Sequence, residues 1–331
     1  MLYKIITGDR IITVIIIFLI AAGIWVPAFL SPEIAETRGM DSSMPLYLFS
    51  INLFGGRMLL SKILAFGLMI FEAFLLVRIN ARLVLVQEKT FLPALFFIII
   101  AGHSADLLQW NPVLPAALFV IFVLELIFRS NHDEPNSYKY FEAGMLLGIG
   151  SLFYAPLVYM IVFIWIGCMA QRPFYWREYV FPVLGLAVPY VFVFAFLFMG
   201  DKSIPDFLTG MQSDFVFTYD FPHFYWKTWV FTLYVAFLAL VSSVFLLKVF
   251  QFRKIYIRDY FLVLFWLFIV SLLVFLLLSG FNTGMSYLIG ISIAYILTNY
   301  FINARKSIGN KVILYLLLGY VLGMGVVNLI G

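Results

Sequence analysis

An all-α, polytopic bundle of about eleven transmembrane helices follows from three features of the chain: its composition, the length of its apolar runs and the placement of its basic residues. The 331 residues are 64% hydrophobic and 11% charged, with a mean hydropathy of +1.05. Ordinary soluble domains hold about 45–50% apolar and about 25% charged residues. With only 21 Lys and Arg and 17 Asp and Glu, a 38.0 kDa soluble protein could not cover a surface competing with 38 Phe. A soluble enzyme, a nucleic-acid-binding protein and a disordered chain are all excluded. Lipid is the solvent for most of the chain, and 1–331 reads as a single integral membrane domain. The single Cys168 excludes an intrachain disulfide and lies in an apolar run, where a thiol packs as a small hydrophobe.

A span needs about 20 apolar residues, or fewer where it tilts or packs inside a bundle. Eleven segments qualify: 11–30, 59–77, 91–106, 112–128, 140–154, 156–170, 179–199, 228–248, 260–278, 285–302 and 312–330. The first follows Lys4 and Arg10 and reads as a retained anchor, since no small-x-small cleavage site closes it. Pro93, Pro115 and Pro182 fall just inside span starts, where a missing N–H costs nothing. Pro189 lies mid-span and predicts a kink. The short pairs 91–128 and 140–170 could each be a re-entrant hairpin, and because both are pairs the orientation of every later span is unchanged.

Basic residues set orientation. With a cytoplasmic N-terminus, strict alternation places 16 of the 21 Lys and Arg on the inner side and leaves Arg38, Arg57, Lys62, Lys202 and Lys227 outside. The expected topology is therefore an N-terminus inside and a C-terminus outside, which in a bacterial inner membrane is the periplasm. Eight of 17 acids face outward: Glu33, Glu36, Asp41, Asp106, Asp201, Asp206, Asp214 and Asp220. Two outer loops are long. Loop 31–58 carries acids and then a less polar stretch, Leu46–Phe54, expected to lie in the interface. Loop 200–227 interleaves acids with aromatic residues.

Ionisable groups at membrane depth are the first functional suspects. Glu72 is the deepest. Glu125 and Arg129, four apart with the acid first, make a favourable helix pair. In His103-Ser-Ala-Asp106 the imidazole and carboxylate are three apart, so a continuing helix would put both on one face for acid–base work or cation binding. Glu36 and Asp41 in the first outer loop could act as a general base, with Arg38 and Arg57 meeting a phosphate. Tyr219, Asp220 and His223 would contact substrate from the second loop. Gly144-x-x-x-Gly148-x-Gly150 and Gly319-x-x-x-Gly323-x-Gly325 are not nucleotide loops, because no strand precedes them. Small residues four apart instead let membrane helices approach closely, within the chain or against a membrane-protein partner.

These segments resemble a family. The layout is similar to the GT-C-fold glycosyltransferases that use polyprenyl-phosphate sugars, over about residues 1–200. Loop 31–58 stands where that family carries its first acid, and Ala101-Gly-His103-Ser-Ala-Asp106-Leu-Leu where it carries its second. Tyr140-Phe-Glu-Ala-Gly144-Met-Leu-Leu-Gly148-Ile-Gly150 resembles its glycine-containing core pair. Ser31-Pro32 departs from the pattern, because the family's acid directly follows the first span. Gln171-Arg-Pro-Phe-Tyr-Trp-Arg-Glu178 also resembles an uncharacterised family of Bacteroidota inner-membrane proteins.

The resemblance implies transfer of a sugar from a polyprenyl-phosphate carrier on the extracytoplasmic face. Asp41, Glu36, Asp106 and His103 would be the catalytic or metal-binding groups, and a divalent metal is compatible with that set. Membrane lipid and the lipid-linked sugar would be the partners, with no nucleic acid. Two alternatives stand beside it: a non-catalytic membrane subunit of an envelope or secretion complex, and a transporter lined by Glu72, His103 and Asp106.

Overall fold

The structure, a computed structural model, describes residues 11–30, 42–86, 88–130, 137–171, 175–201, 203–215, 226–249, 255–278, 283–303, 312–321 and 323. These are helical almost throughout, with no strand among them. In chain order the helices are α1 (Ile11–Leu30), α2 (Pro45–Phe54), α3 (Met58–Leu83), α4 (Leu92–Ala101), α5 (Val113–Arg129), α6 (Ser137–Ser151), α7 (Ile161–Gln171), α8 (Trp176–Met199), α9 (Ile204–Phe215), α10 (Trp226–Val249), α11 (Ile255–Leu273), α12 (Ser286–Asn303) and α13 (Val312–Val321). A π-helical stretch, Val274–Leu278, extends α11.

Each of the eleven apolar segments contains a helix, and α2 coincides with the expected interfacial stretch. Five helices are long and apolar enough to cross a membrane: Ile11–Leu30, Met58–Leu83, Trp176–Met199, Ile257–Leu277 and Thr283–Asn303. The α4 segment is shorter than the sequence suggests. Ten residues climb about 15 Å, half of the roughly 30 Å hydrocarbon core. The helix ends at Gly102, where a Cβ would stand 2.7 Å from the Ile24 side chain on α1. Pro182 also falls well inside α8 instead of at its start, because α8 begins three residues earlier than the apolar run.

Burial separates centre from periphery. In α1 the buried Ile17, Ala21, Ile24 and Trp25 form one stripe, and Ile11, Ile15, Phe18 and Leu19 point outward, the pattern of a lipid-facing helix. In α8 only 22% of the most apolar window is buried, against 83% for the helix containing α12. α12 therefore lies at the centre, packed by α4, α5, α10 and α11. All ten side chains of α4 are buried too.

Polar contacts group the connections into two ends. At one end Leu46 N–H donates to the Leu152 carbonyl (3.1 Å), Trp110 Nε1 donates to Ser50 Oγ (3.0 Å), and Ser42 Oγ donates to Asp214 (2.8 Å). Tyr159 meets Phe215 edge-on. These are the connections that the charge rule assigns to the outside, and they pack on one another. At the other end Glu125 accepts from Arg129 (2.5 Å) and Arg82 (3.2 Å). Lys139 Nζ donates to the Arg129 carbonyl (2.6 Å) nearby.

The Gly144 motif is a helix seam. A Cβ on Gly144 would lie 2.1 Å from the Pro182 carbonyl oxygen, and one on Gly185 2.2 Å from that of Phe141. α6 and α8 thus meet backbone to backbone, as small residues four apart permit. Gly319 and Gly323 on the C-terminal segment have open space instead.

Candidate functional site

The site is built on the irregular segment Gly102–Pro112 between α4 and α5. Because α4 rises about 15 Å and the 17-residue α5 about 25 Å from the Arg129 end, this segment runs from the middle of the bundle toward the end opposite Arg129. Non-helical backbone at membrane depth is tolerated only where protein buries it or where it lines a cavity. Here protein buries it: His103, Ser104, Gln109 and Asn111 are all buried, while Ala105 is exposed and Asp106 half-buried.

Local chemistry holds the turn. Residues 105–107 make one 3-10 turn, and Ser104 Oγ approaches Asp106 (3.4 Å). Asn111 Oδ1 accepts from Leu114 N–H (2.9 Å), satisfying one of the free amides that begin α5. Tyr287 on α12 donates to the Leu107 carbonyl (2.8 Å), tying the segment to the central helix. His103 Nδ1 donates to the Ile100 carbonyl (2.8 Å), which fixes the tautomer that leaves Nε2 as the acceptor. Its ring stacks on Phe231 of α10 at 4.9 Å, and Phe231 stacks on Tyr320 of α13 at 5.5 Å.

The expectation that His103 and Asp106 share a helix face does not hold, because the helix stops at Ala101 and only the 3-10 turn follows. His103 turns to α10, and Asp106 keeps to Ser104.

Glu72, on α3, lies 11 residues above Leu83 and therefore about 16 Å up, level with the top of α4. It is fully buried, and neither carboxyl oxygen has a hydrogen-bond partner of good geometry. The backbone of Leu118 and the Tyr287 hydroxyl are within its electrostatic reach. Tyr287 thereby links Glu72 to the Gly102–Pro112 segment. Gln109 Nε2 is a second buried polar atom without a partner.

The surface helix α2 covers this segment. Trp110 donates to Ser50 and packs edge-on against Phe54 at 5.0 Å. Gly55 (φ +57°) and Gly56 (φ +72°) supply the left-handed turn that returns the chain into α3. Arg57 begins α3 and is exposed. Lys62 is buried, with Nζ donating to the Ala28 carbonyl. At the start of the segment, Asp214 of α9 accepts from Ser42 Oγ and Ser43 N–H (3.0 Å). Burial raises the Asp214 pKa above the ordinary carboxylate value, and the bonds from Ser42 and Ser43 partly oppose this.

Of the residues singled out in the sequence, Glu36, Arg38, Asp41, Tyr219, Asp220 and His223 lie outside the described residues. His103, Asp106, Arg57 and Glu72 are described. Trp110 and Tyr287 complete the picture without having been singled out, and Asp214 was read only as one of the outer acids. Among the described residues, no three His, Cys, Asp or Glu side chains are placed to hold a metal ion.

Fold and site together define a helical membrane protein with a buried polar segment beneath a surface helix. Comparison with protein-family models, curated proteins and solved structures finds no match to this chain.

Proposed function

We propose that the chain is an inner-membrane transferase that moves a sugar from a polyprenyl-phosphate carrier to an acceptor at the outer end of the bundle. The observation that carries this reading is the seating of α2 on the Asp106-bearing segment through Trp110. The first long outer connection and the Gly102–Pro112 segment thereby form one surface. The Ser42–Asp214 bond pins the residue that follows Asp41 to the same layer.

In this reading a carboxylate, Asp106 or Asp41, takes the proton of the acceptor hydroxyl. The acceptor oxygen bonds to the sugar's anomeric carbon as the carbon–oxygen bond to phosphate breaks, and polyprenyl phosphate leaves. Arg57 and Arg38 would balance the phosphate charge. The test replaces Asp41 and Asp106 singly by Asn in cells and follows extracytoplasmic glycans. Loss of a glycan in a stably inserted variant supports transfer, and unchanged glycans in the inserted double variant would end it.

A transport reading is favoured by one specific observation, the half-length α4 followed by irregular polar backbone. Solute flux in proteoliposomes, without any glycan change, would select it.

A further inference from the structure

We infer that Glu72 is a proton-binding site of the membrane interior, holding a neutral carboxyl. The argument begins with charge. A carboxylate at mid-depth with zero exposure and, among the described residues, no well-formed hydrogen bond beyond the approach of the Leu118 backbone has little to replace its hydration, and an isolated buried charge is neutralised rather than tolerated. Neutrality needs an opposite side-chain charge, a bound cation or a proton.

Among the described residues, the neighbouring elements bring no positive side chain to Glu72. The Tyr287 hydroxyl of α12 and the Leu118 backbone of α5 are within its electrostatic reach. α1 and α4 contain no ionisable residue, and α2 contributes only Tyr47. On α3 itself, Arg78, six residues along, is exposed, Lys62 lies almost three turns away and is bonded to the Ala28 carbonyl, and Arg82 pairs with Glu125 at the far end. Above Glu72 the titratable groups are His103 and Asp106. The His103 Nδ1–H is committed to Ile100 and its ring is stacked on Phe231.

The site is also poor for a metal. A hard cation needs about six oxygen ligands. No second acid joins Glu72 in any candidate cluster among the described residues. Two buried acceptors of one carboxyl, with no metal cluster around them among the described residues, suit a proton. Tyr287, within electrostatic reach of Glu72, donates to the Leu107 carbonyl beside half-buried Asp106, which ties Glu72 to that segment. Glu72 would act this way under either functional reading.

The test uses the full-length protein in its native membrane and the hydrophobic reagent dicyclohexylcarbodiimide. Only a protonated carboxyl reacts: its proton goes to a carbodiimide nitrogen, its oxygen bonds to the central carbon, and rearrangement leaves an N-acylurea with no group lost. Labelling is read by peptide mass spectrometry. Glu72 is expected to label at least tenfold faster than ion-paired Glu125, and labelling should fall as pH rises. It should be insensitive to Na⁺ or Ca²⁺ at fixed pH and ionic strength, and absent from the peptide in Glu72→Gln. Three results would each overturn the proposal: labelling no faster than at Glu125, labelling independent of pH, or protection by a cation at fixed pH. The wild-type comparison with Glu125 requires no variant to fold.

Discussion

Replacing Gly144 by Ala introduces one methyl group where none fits. The new Cβ would lie 2.1 Å from the Pro182 carbonyl oxygen, about 1.3 Å inside ordinary contact distance. The neighbour is backbone, so no rotamer change relieves the clash, and α6 must move away from α8. Overpacking of this kind costs about 1–3 kcal/mol, occasionally more. The helix-propensity gain of Gly→Ala offsets about 1 kcal/mol at most. A net loss of up to about 2 kcal/mol is expected, toward the upper end because the contacting atom is backbone. Gly185→Ala should behave alike, since its Cβ meets the Phe141 carbonyl at 2.2 Å. Once either change has parted the helices, the second should cost less than it does alone, a coupling that a double-mutant cycle reads directly. Gly319→Ala and Gly323→Ala are the matched controls, because nothing lies within 4 Å of either site. They should be neutral or slightly stabilising. The assay is unfolding in mixed micelles with increasing SDS, monitored by helicity. Equal effects of Gly144→Ala and Gly319→Ala would refute the seam.

Two further outcomes follow from named contacts. Asp214→Ala should loosen the join between α9 and Ser42–Ser43 by about 1–2 kcal/mol, read as faster hydrogen exchange over 42–54 and 204–215. Because burial raises the Asp214 pKa, its protonated form is the one favoured in the folded state. The join is therefore firmest at or below the ordinary carboxylate value and weakens as pH rises through the raised one. Asp214→Asn should abolish that dependence, and a join that tightens with rising pH would contradict the assignment. At the opposite end, Glu125→Ala should lower stability in the same SDS assay by about 1–3 kcal/mol through loss of a nearly buried charge-assisted bond to Arg129. Arg82→Ala should cost less than about 1 kcal/mol, since its side chain is half exposed.

The apolar runs were legible because lipid demands them, and every one contains a helix. Helix ends were less so. Nothing in Phe97-Ile-Ile-Ile-Ala-Gly-His103 announces that the helix stops at Ala101, since a lone Gly in an apolar run also continues helices; the close approach of Ile24 decides it. The His103–Asp106 spacing was consequently read on the wrong backbone. α9 could have been found. Ser203 accepts from Asp206 N–H, Pro205 follows in the first turn, and Ile204, Phe207, Leu208 and Met211 recur at helical spacing. Glu72 stood out by depth alone. The Ser42–Asp214 bond, 172 residues apart, and the buried Glu178 that accepts from Cys168 (3.4 Å) left no pattern in the sequence. Pairings across such distances are set by packing, which no local periodicity encodes.

The burial of α12 has a consequence for biogenesis. α4 has no lipid-facing side chain, and its packing against α12 joins segments nearly 200 residues apart. During synthesis the first half of the bundle is in the membrane well before α12 arrives. Until then the α4 side facing it, the Leu107 carbonyl that Tyr287 will cap and the Leu76 carbonyl that Tyr295 will cap have no protein cover from that helix. The late helix therefore closes a cleft left open by its predecessors, and this part of the core is completed from the inside by a helix made after those that line it.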